Sequence, residues 1–334
     1  MKQRSSLLWV EYAQTAVHKA LSCVQGVLLC TKRSTVFAAL LSDAPRRSPA
    51  NFFFTVDMSE NHMRETDDSR LSLRSGAIDG IGGRVMKRLY QRSELTFAIV
   101  CIVVYVVVQS AALSLDELIG VPYLASAVAC AIQAGLLWCF VHKNGLSERY
   151  GLQAPRVSAR QFLYYVPLVI LMTRNFWNGV TISLPWAGMV CTMVGMLFVG
   201  FVEELIFRGF LFKAMARSNV NPAIIVSSLT FGLGHIVNMF NGNGAGLVEN
   251  LSQIVGAIAI GFLFVMMFYR GGSLWPCIIA HAVINATSVF SAESQAFSIG
   301  GIMASVVMIG IALAYAIVLM HTLPKAEAED SSHE

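Results

Sequence analysis

The sequence contains few charged residues. Only 13% of its 334 residues are Asp, Glu, Lys or Arg, whereas 55% are hydrophobic, and a soluble domain carries about 25% charged residues on average. This deficit excludes an ordinary soluble domain and predicts an integral membrane protein embedded in the lipid bilayer. The formal net charge of +4 is small. It gives no reason to expect nucleic acid as a partner, and it fits basic cytoplasmic loops.

Several motifs are also missing. The seven cysteines include no CxxC pair, so the sequence predicts neither a thiolate metal site nor a disulfide, and it favours cysteines packed within helices. The HExxH motif of many zinc proteases is absent, and there is no internal repeat of the kind found in transporters. The basic N-terminus lacks the apolar core and small-residue cleavage site of a signal peptide.

Long apolar runs follow residue 93. One span needs about 20 apolar residues, so the sequence predicts an all-α polytopic membrane protein with about eight transmembrane helices in residues 94–321. Basic residues recur in every second loop, which places both termini, including a tail at 322–334, in the cytoplasm. The third run is short and is expected to be tilted or partly interfacial. The runs are Leu95–Leu113, Pro122–Val141, Phe162–Asn175, Pro185–Phe212, Pro222–Phe240, Leu251–Tyr269, Leu274–Phe290 and Ile299–His321.

Residues 1–93 show no sustained helical or strand period and contain patches rich in Ser and Arg. Such a composition is typical of a poorly ordered segment, so we expect a cytoplasmic N-terminal extension. A translation start at Met58, Met63 or Met86 is an open alternative, because MKRLYQRSELTF from Met86 forms a basic lead into the first helix.

Three clusters of polar residues interrupt the later runs. A charged residue at the centre of a bilayer costs roughly 2.5–3.5 kcal/mol, so these clusters indicate a functional site. Glu204 and Arg208 share a helix face at i and i+4 and are expected to form an ion pair. Glu203 is rotated by about 100° from Glu204 and is expected to face a cavity. The clusters are Glu203, Glu204 and Arg208; Phe231 and His235; and His281 and Asn285.

The three clusters are predicted to lie at a similar depth in the membrane. A short polar turn joins the helices of Glu203 and His235, and the two residues are equally distant from Asn219 in that turn. In an antiparallel hairpin they lie at the same height, and they meet if both faces point inward. His281 and Asn285 share a face one turn apart and are predicted at a similar depth. We therefore expect one cytoplasm-facing cavity.

This set of side chains predicts hydrolysis. Glu203 is a candidate general base for a water molecule shared with His235, and His281 and Asn285 are candidate donors to an oxyanion. Alternatively, Glu203, His235 and His281 hold a divalent metal such as zinc, with the water as its open ligand. The cofactor therefore stays open between a metal and none. Phe231 is expected only to wall the cavity.

The ordered motifs EExxxR, FxxxH and HxxxN resemble those of the CAAX prenyl protease and bacteriocin-processing (CPBP) family, which includes the type II CAAX prenyl endopeptidases. The resemblance implies an all-helical intramembrane endopeptidase, usually labelled a metalloprotease, that cleaves a membrane-associated CAAX-like or bacteriocin substrate. It implies that Glu203 is the base and His235 its co-ligand for the water. It further implies that His281 and Asn285 stabilise the oxyanion, with supporting roles for Glu204 and Arg208. The motifs stand as Glu203-Glu204-Leu-Ile-Phe-Arg208, Phe231-Gly-Leu-Gly-His235 and His281-Ala-Val-Ile-Asn285.

Two other functions are compatible with the same residues. One is a proton-coupled transporter that uses a buried carboxylate, and the other is a non-catalytic membrane partner such as a bacteriocin immunity protein. Substitution of Glu203 and His235 separates the three: a peptidase stops cleaving, a transporter loses pH-dependent flux, and a non-catalytic partner keeps its phenotype. The sequence does not predict which substrate is used or whether it is prenylated.

Overall fold

The computed structural model describes residues 83–241, 246–292 and 299–324. The predicted N-terminal extension therefore lies outside the described residues up to position 82, as does the predicted C-terminal tail from position 325. Residues from Leu89 onward form one compact unit, and the fold below is that of this unit.

The described part of the unit is helical, and its one β-type contact is an isolated bridge between Val180 and Ser291. Short 3₁₀ turns lie at Leu163–Tyr165, Arg174–Phe176 and Thr287–Phe290. The main helices are α1 (Glu94–Ile119), α2 (Leu124–Lys143), α3 (Val166–Met172), α4 (Trp186–Glu204), α5 (Val220–Gly234), α6 (Leu247–Gly271), α7 (Trp275–Ala286) and α8 (Ile299–Thr322). Helix α4 continues as a π-helical segment, Leu205–Phe212, and a last α-turn, Lys213–Ala216, and α5 is followed by Ile236–Phe240.

Six helices of the described residues are long and apolar enough to cross a membrane: α1, α2, α4 with its continuation, α5 with its continuation, α6 and α8. The prediction of an all-α polytopic membrane protein is confirmed. The third and seventh predicted runs form the shorter apolar helices Leu163–Met172 and Trp275–Phe290. The cytoplasmic placement of both termini stays a prediction from the loop charges.

The third run is shortened by its backbone conformation. Leu163, Tyr164 and Tyr165 all have positive φ values, between 52° and 58°, in the left-handed region that ordinary side chains rarely adopt. A right-handed helix cannot continue through such residues, so regular α3 begins only at Val166, with Pro167 in its first turn.

Buried charges at the helix ends are used as caps. The Asp116 carboxylate, near the end of α1, accepts hydrogen bonds from the backbone N–H groups of Ala125 and Ser126 at 2.5 and 3.3 Å. It thereby caps the start of α2, where a negative charge is favourable. At the other end of the fold, Arg270 of α6 donates to the carbonyl of Met320, in the last turn of α8, and to that of Leu323, just after the helix. Both charges therefore join neighbouring helices.

Glycines bring α4 close to its two neighbours. A Cβ atom on Gly200 would lie 2.6 Å from the backbone nitrogen of Ala282 in α7, and one on Gly195 would lie 3.1 Å from Ala127 in α2. Small residues permit such close backbone approach between membrane helices. The Gly200–Ala282 contact lies directly beside Glu203 on α4 and His281 on α7, so it sets the distance between the two polar side chains.

Candidate active site

The predicted ion pair between Glu204 and Arg208 is confirmed. Nη1 of Arg208 lies 2.9 Å from Oε1 of Glu204, and both side chains are completely buried. Glu204 is the last residue of regular α4, whereas Arg208 lies within the π-helical segment Leu205–Phe212. Short π-helical insertions in α-helices occur frequently at functional sites. The side chains after Glu204 therefore point in other directions than they would on a continuous α-helix.

Aromatic rings surround the buried arginine. The guanidinium carbon of Arg208 lies 3.9 Å from the ring centre of Phe231 and 5.7 Å from that of Phe264, which is cation–π geometry. Gly261 of α6 leaves space for the group, since a Cβ atom there would lie 3.3 Å from Nη2. Because Nε and Nη2 have no hydrogen-bond partner within the described residues, the charge is stabilised chiefly by Glu204 and the ring faces.

His281 connects the two glutamates. Its Nδ1 lies 2.7 Å from Oε1 of Glu204, and its Nε2 lies 3.6 Å from Oε2 of Glu203. A carboxylate paired with arginine is ionised and can only accept hydrogen bonds, so Nδ1 of His281 donates to Glu204. The remaining nitrogen, Nε2, therefore faces Glu203, and the order of contacts is Arg208, Glu204, His281, Glu203.

Glu203 differs from Glu204 in exposure and partner. Its side chain is 15% exposed whereas that of Glu204 is 0% exposed, and its Oε1 accepts a hydrogen bond of 2.7 Å from the hydroxyl of Tyr105 on α1. The sequence predicted that Glu203 is turned away from Glu204 and faces a cavity, and the cavity stays a prediction. The hydrogen-bond donor to Glu203, Tyr105, was not predicted.

The expected contact between Glu203 and His235 is not formed as a direct hydrogen bond among the described residues. Nδ1 of His235 instead lies 3.2 Å from the carbonyl oxygen of Phe231, at the end of α5. Equal chain distance from Asn219 implies equal height only if both helices are regular, and the eight π-helical residues Leu205–Phe212 break that condition. Glu203 and His235 therefore lie on the two helices that the polar turn joins, but no direct hydrogen bond links them within the described residues.

Phe231 does more than wall a cavity. Its ring centre lies 5.3 Å from that of His235 and 5.6 Å from that of His281, with both imidazoles nearly perpendicular to it. The same ring accepts the cation–π contact of Arg208. Phe231 is buried, and it links the second polar cluster to the other two.

Asn285 lies one turn after His281 on α7 and is half-buried. Its side-chain amide makes no hydrogen bond to any other described residue, whereas its backbone carbonyl accepts one of 2.6 Å from the Ser288 hydroxyl. The amide of Asn285 therefore remains available, within the described residues, to donate a hydrogen bond to a bound molecule.

The three candidate metal ligands are not gathered into one site. No group of three or more His, Cys, Asp or Glu side chains within the described ranges is arranged to hold a metal ion. The Nδ1 atoms of His281 and His235 face the Glu204 carboxylate and the Phe231 carbonyl, and such contacts, which leave Nε2 available, are also usual for metal-bound histidines. Whether a metal is used stays a prediction from the sequence.

The helical fold and the buried Glu–His–Arg cluster define a polytopic membrane protein with a polar site inside its helices. Residues 184–287 match the family model described as Type II CAAX prenyl endopeptidase Rce1-like. The matched segment contains all three motifs, so the resemblance is confirmed for this part of the chain, which is similar to the CAAX-type intramembrane proteases. No curated protein and no solved structure gives a significant match to the chain.

Proposed function

We propose that the protein is an endopeptidase that hydrolyses a peptide bond of a membrane-associated, CAAX-like substrate, with Glu203 as the general base. The observation that supports this most is the difference between the two adjacent glutamates. Glu204 is fully buried and bound by Arg208 and His281, whereas Glu203 keeps partial exposure and is not paired with an arginine. A base must reach water and substrate, and Glu203 is the carboxylate that does so.

In the proposed mechanism both nitrogens of His281 carry a proton. Its Nδ1 lies 2.7 Å from the Glu204 carboxylate and its Nε2 lies 3.6 Å from that of Glu203, so each nitrogen faces an acceptor. In this form Nδ1–H donates to Glu204, and Nε2–H is available as a second donor beside Glu203.

His235 is suited to hold the attacking water. Its Nδ1 faces a backbone carbonyl, which accepts but cannot donate, so this nitrogen carries the proton in the neutral ring. Nε2 then has a free lone pair, which can accept a hydrogen bond from water. His235 is half-buried and contacts Phe231, the residue whose ring also contacts His281.

The reaction then proceeds in two steps. Glu203 takes a proton from the water as its oxygen bonds to the carbonyl carbon of the scissile peptide, and the carbonyl oxygen becomes an oxyanion. Nε2–H of His281 and the unused amide of Asn285 donate to this oxygen. The tetrahedral intermediate collapses, the C–N bond breaks, and Glu203 returns its proton to the leaving amine.

The test is cleavage by the purified full-length protein in liposomes. Two substrates are compared, a prenylated CAAX peptide and a membrane-anchored peptide without a prenyl group, so that the requirement for prenylation is measured directly. We expect Glu203→Gln and His235→Ala each to lower kcat/KM by about 10²- to 10⁴-fold. Glu117→Gln, which changes an exposed carboxylate of α1, is the matched control. Wild-type rates in Glu203→Gln would overturn the proposed mechanism.

A further inference from the structure

Tyr105 lies on α1, outside the segment 184–287 that matches the family model. Its hydroxyl donates to Oε1 of Glu203 at 2.7 Å, a length typical of strong hydrogen bonds to charged acceptors. Within the described residues, no other hydrogen-bond donor reaches the Glu203 side chain. A tyrosine from a helix that carries none of the three motifs therefore provides the direct hydrogen bond to the proposed base.

The packing of α1 fixes this contact. Phe97, buried near the start of α1, stacks on Phe140 of α2 at 4.9 Å and meets Phe210 of the π-helical segment edge-on at 5.1 Å. Tyr105 follows Phe97 along α1, whereas Glu203 precedes Phe210, so the two helices are antiparallel where they meet. Phe97 and Tyr105 lie two i, i+4 steps apart and share a helix face. The aromatic contact therefore determines the register that brings Tyr105 to Glu203.

The face of α1 around Tyr105 is polar. One turn later, Gln109 donates to Oε1 of Gln133 on α2 at 2.8 Å, and the Ser110 hydroxyl accepts from Asn241 at 3.1 Å. Polar side chains in a membrane helix turn toward the protein interior because lipid offers them no partners. Helix α1 thus presents an inward polar face at the level of the site. Of the polar residues on this face, Tyr105 is the one that contacts Glu203 directly.

We propose that Tyr105 is a positioning residue for the base. Its hydrogen bond holds Oε1 of Glu203, so that Oε2 remains directed toward His281 and the attacking water. The other ionisable groups that face Glu203 are His281 of α7, the adjacent Glu204, and the buried thiol of Cys130 on α2. This inference rests on the proposed role of Glu203.

The first test needs no substrate. A hydrophobic carbodiimide reacts with carboxyl groups inside membranes, and mass spectrometry of the labelled peptide reports the rate at Glu203. Tyr105→Phe removes only the hydroxyl that binds Oε1, so this oxygen is free to react and labelling at neutral pH is expected to accelerate about tenfold or more. Glu203→Gln must abolish the label. Equal labelling of wild type and Tyr105→Phe would overturn the proposal.

The matched control is Tyr315→Phe. This change also deletes a buried tyrosine hydroxyl in a membrane helix, one that donates to the Phe162 carbonyl at 2.7 Å, but it makes no contact with the site. If the lost hydroxyl only lowers stability, both variants should show a similar decrease in melting temperature and no change in the labelling rate. Only Tyr105→Phe is expected to change the labelling rate.

The second test measures cleavage. Because Tyr105 contacts the base and not the substrate, we expect Tyr105→Phe to lower kcat by about 10- to 100-fold with little change in KM, while Tyr315→Phe keeps both constants. A wild-type protein that cleaves nothing would overturn the proposed function, and the labelling rates would still decide whether Tyr105 controls Glu203. A wild-type protein that cleaves, with an equally fast Tyr105→Phe, would overturn only the role of Tyr105.

Discussion

Nδ1 of His281 and Nη1 of Arg208 bind the same oxygen of Glu204, at 2.7 and 2.9 Å. The buried carboxylate therefore joins the helix that carries the charges to the helix that carries the histidine. Its other oxygen has no hydrogen-bond partner among the described residues. Glu204 therefore has two roles: it neutralises the buried charge of Arg208, and it orients the imidazole of His281 toward Glu203.

We expect Glu204→Gln to destabilise the protein by about 3–5 kcal/mol, since it leaves the charge of Arg208 buried without compensation. The measurement is chemical unfolding in detergent micelles. Glu203→Gln is the matched control at the neighbouring position, and it should cost less because that side chain is partly exposed and unpaired with arginine. In the double variant Glu204→Gln, Arg208→Met, the loss should be smaller than the sum of the single losses. Additive losses would contradict a direct ion pair.

Phe231 is expected to matter for both stability and turnover. Phe231→Leu removes the ring that lies 3.9 Å from the Arg208 guanidinium, and a desolvated cation–π contact is worth about 2 kcal/mol. It also frees the two histidines that the ring contacts, so kcat should fall as well. Phe268→Leu is the control for kcat, because Phe268 is also buried but its ring contacts Phe212 and Lys213 instead of the polar cluster. Similar kcat values for the two variants would contradict the linking role of Phe231.

The close approach of α4 and α7 gives a third prediction. In Gly200→Ala the new methyl group would lie 2.6 Å from the Ala282 backbone, so the helices must separate, at a cost of about 1–3 kcal/mol. The gap between Glu203 and His281 widens with them, and we expect lower cleavage rates together with a lower melting temperature.

The control for this helix contact is Gly135→Ala on α2, where a methyl group would meet nothing within 4 Å. Alanine is favoured over glycine within a helix, so this variant should be as stable as the wild type or slightly more stable. A Gly200→Ala protein with unchanged stability and activity would show that α4 and α7 can repack without moving the site.

Local features of the site were predictable from the sequence. The apolar runs indicate the helices, and the i, i+4 spacing indicates the pair of Glu204 and Arg208, because both depend on residues within a few turns of each other. The π-helical segment was not predictable, since Leu205–Phe212 contains no proline and only one glycine, Gly209, to mark an irregularity. The left-handed residues Leu163–Tyr165 carry no such signal either.

The contacts that complete the site depend on packing between distant helices. Tyr105 lies in the apolar stretch IVVYVVVQS, where a tyrosine gives no indication of its partner, and its pairing with Glu203 depends on the register set by Phe97. The bridge from His281 to both glutamates likewise requires the close contact of Gly200 with Ala282. Sequence spacing predicted similar depths only for Glu203, His235, His281 and Asn285, and tertiary packing decided which of them meet.

Asn285, on α7, and Asn175, which binds the end of α7 from another segment, should differ in their effects on stability and on kcat. The Asn285 amide makes no hydrogen bond within the described residues, so Asn285→Ala should leave the melting temperature unchanged but lower kcat by about 10²- to 10³-fold, the effect of losing an oxyanion donor. Asn175 is buried and donates to the Ile284 carbonyl at 2.5 Å and the Thr287 hydroxyl at 2.9 Å. Asn175→Ala should therefore lower stability by about 1–3 kcal/mol and change kcat of the folded protein only a few-fold. If Asn285→Ala melts early and keeps its kcat, its amide is structural and the oxyanion role is wrong.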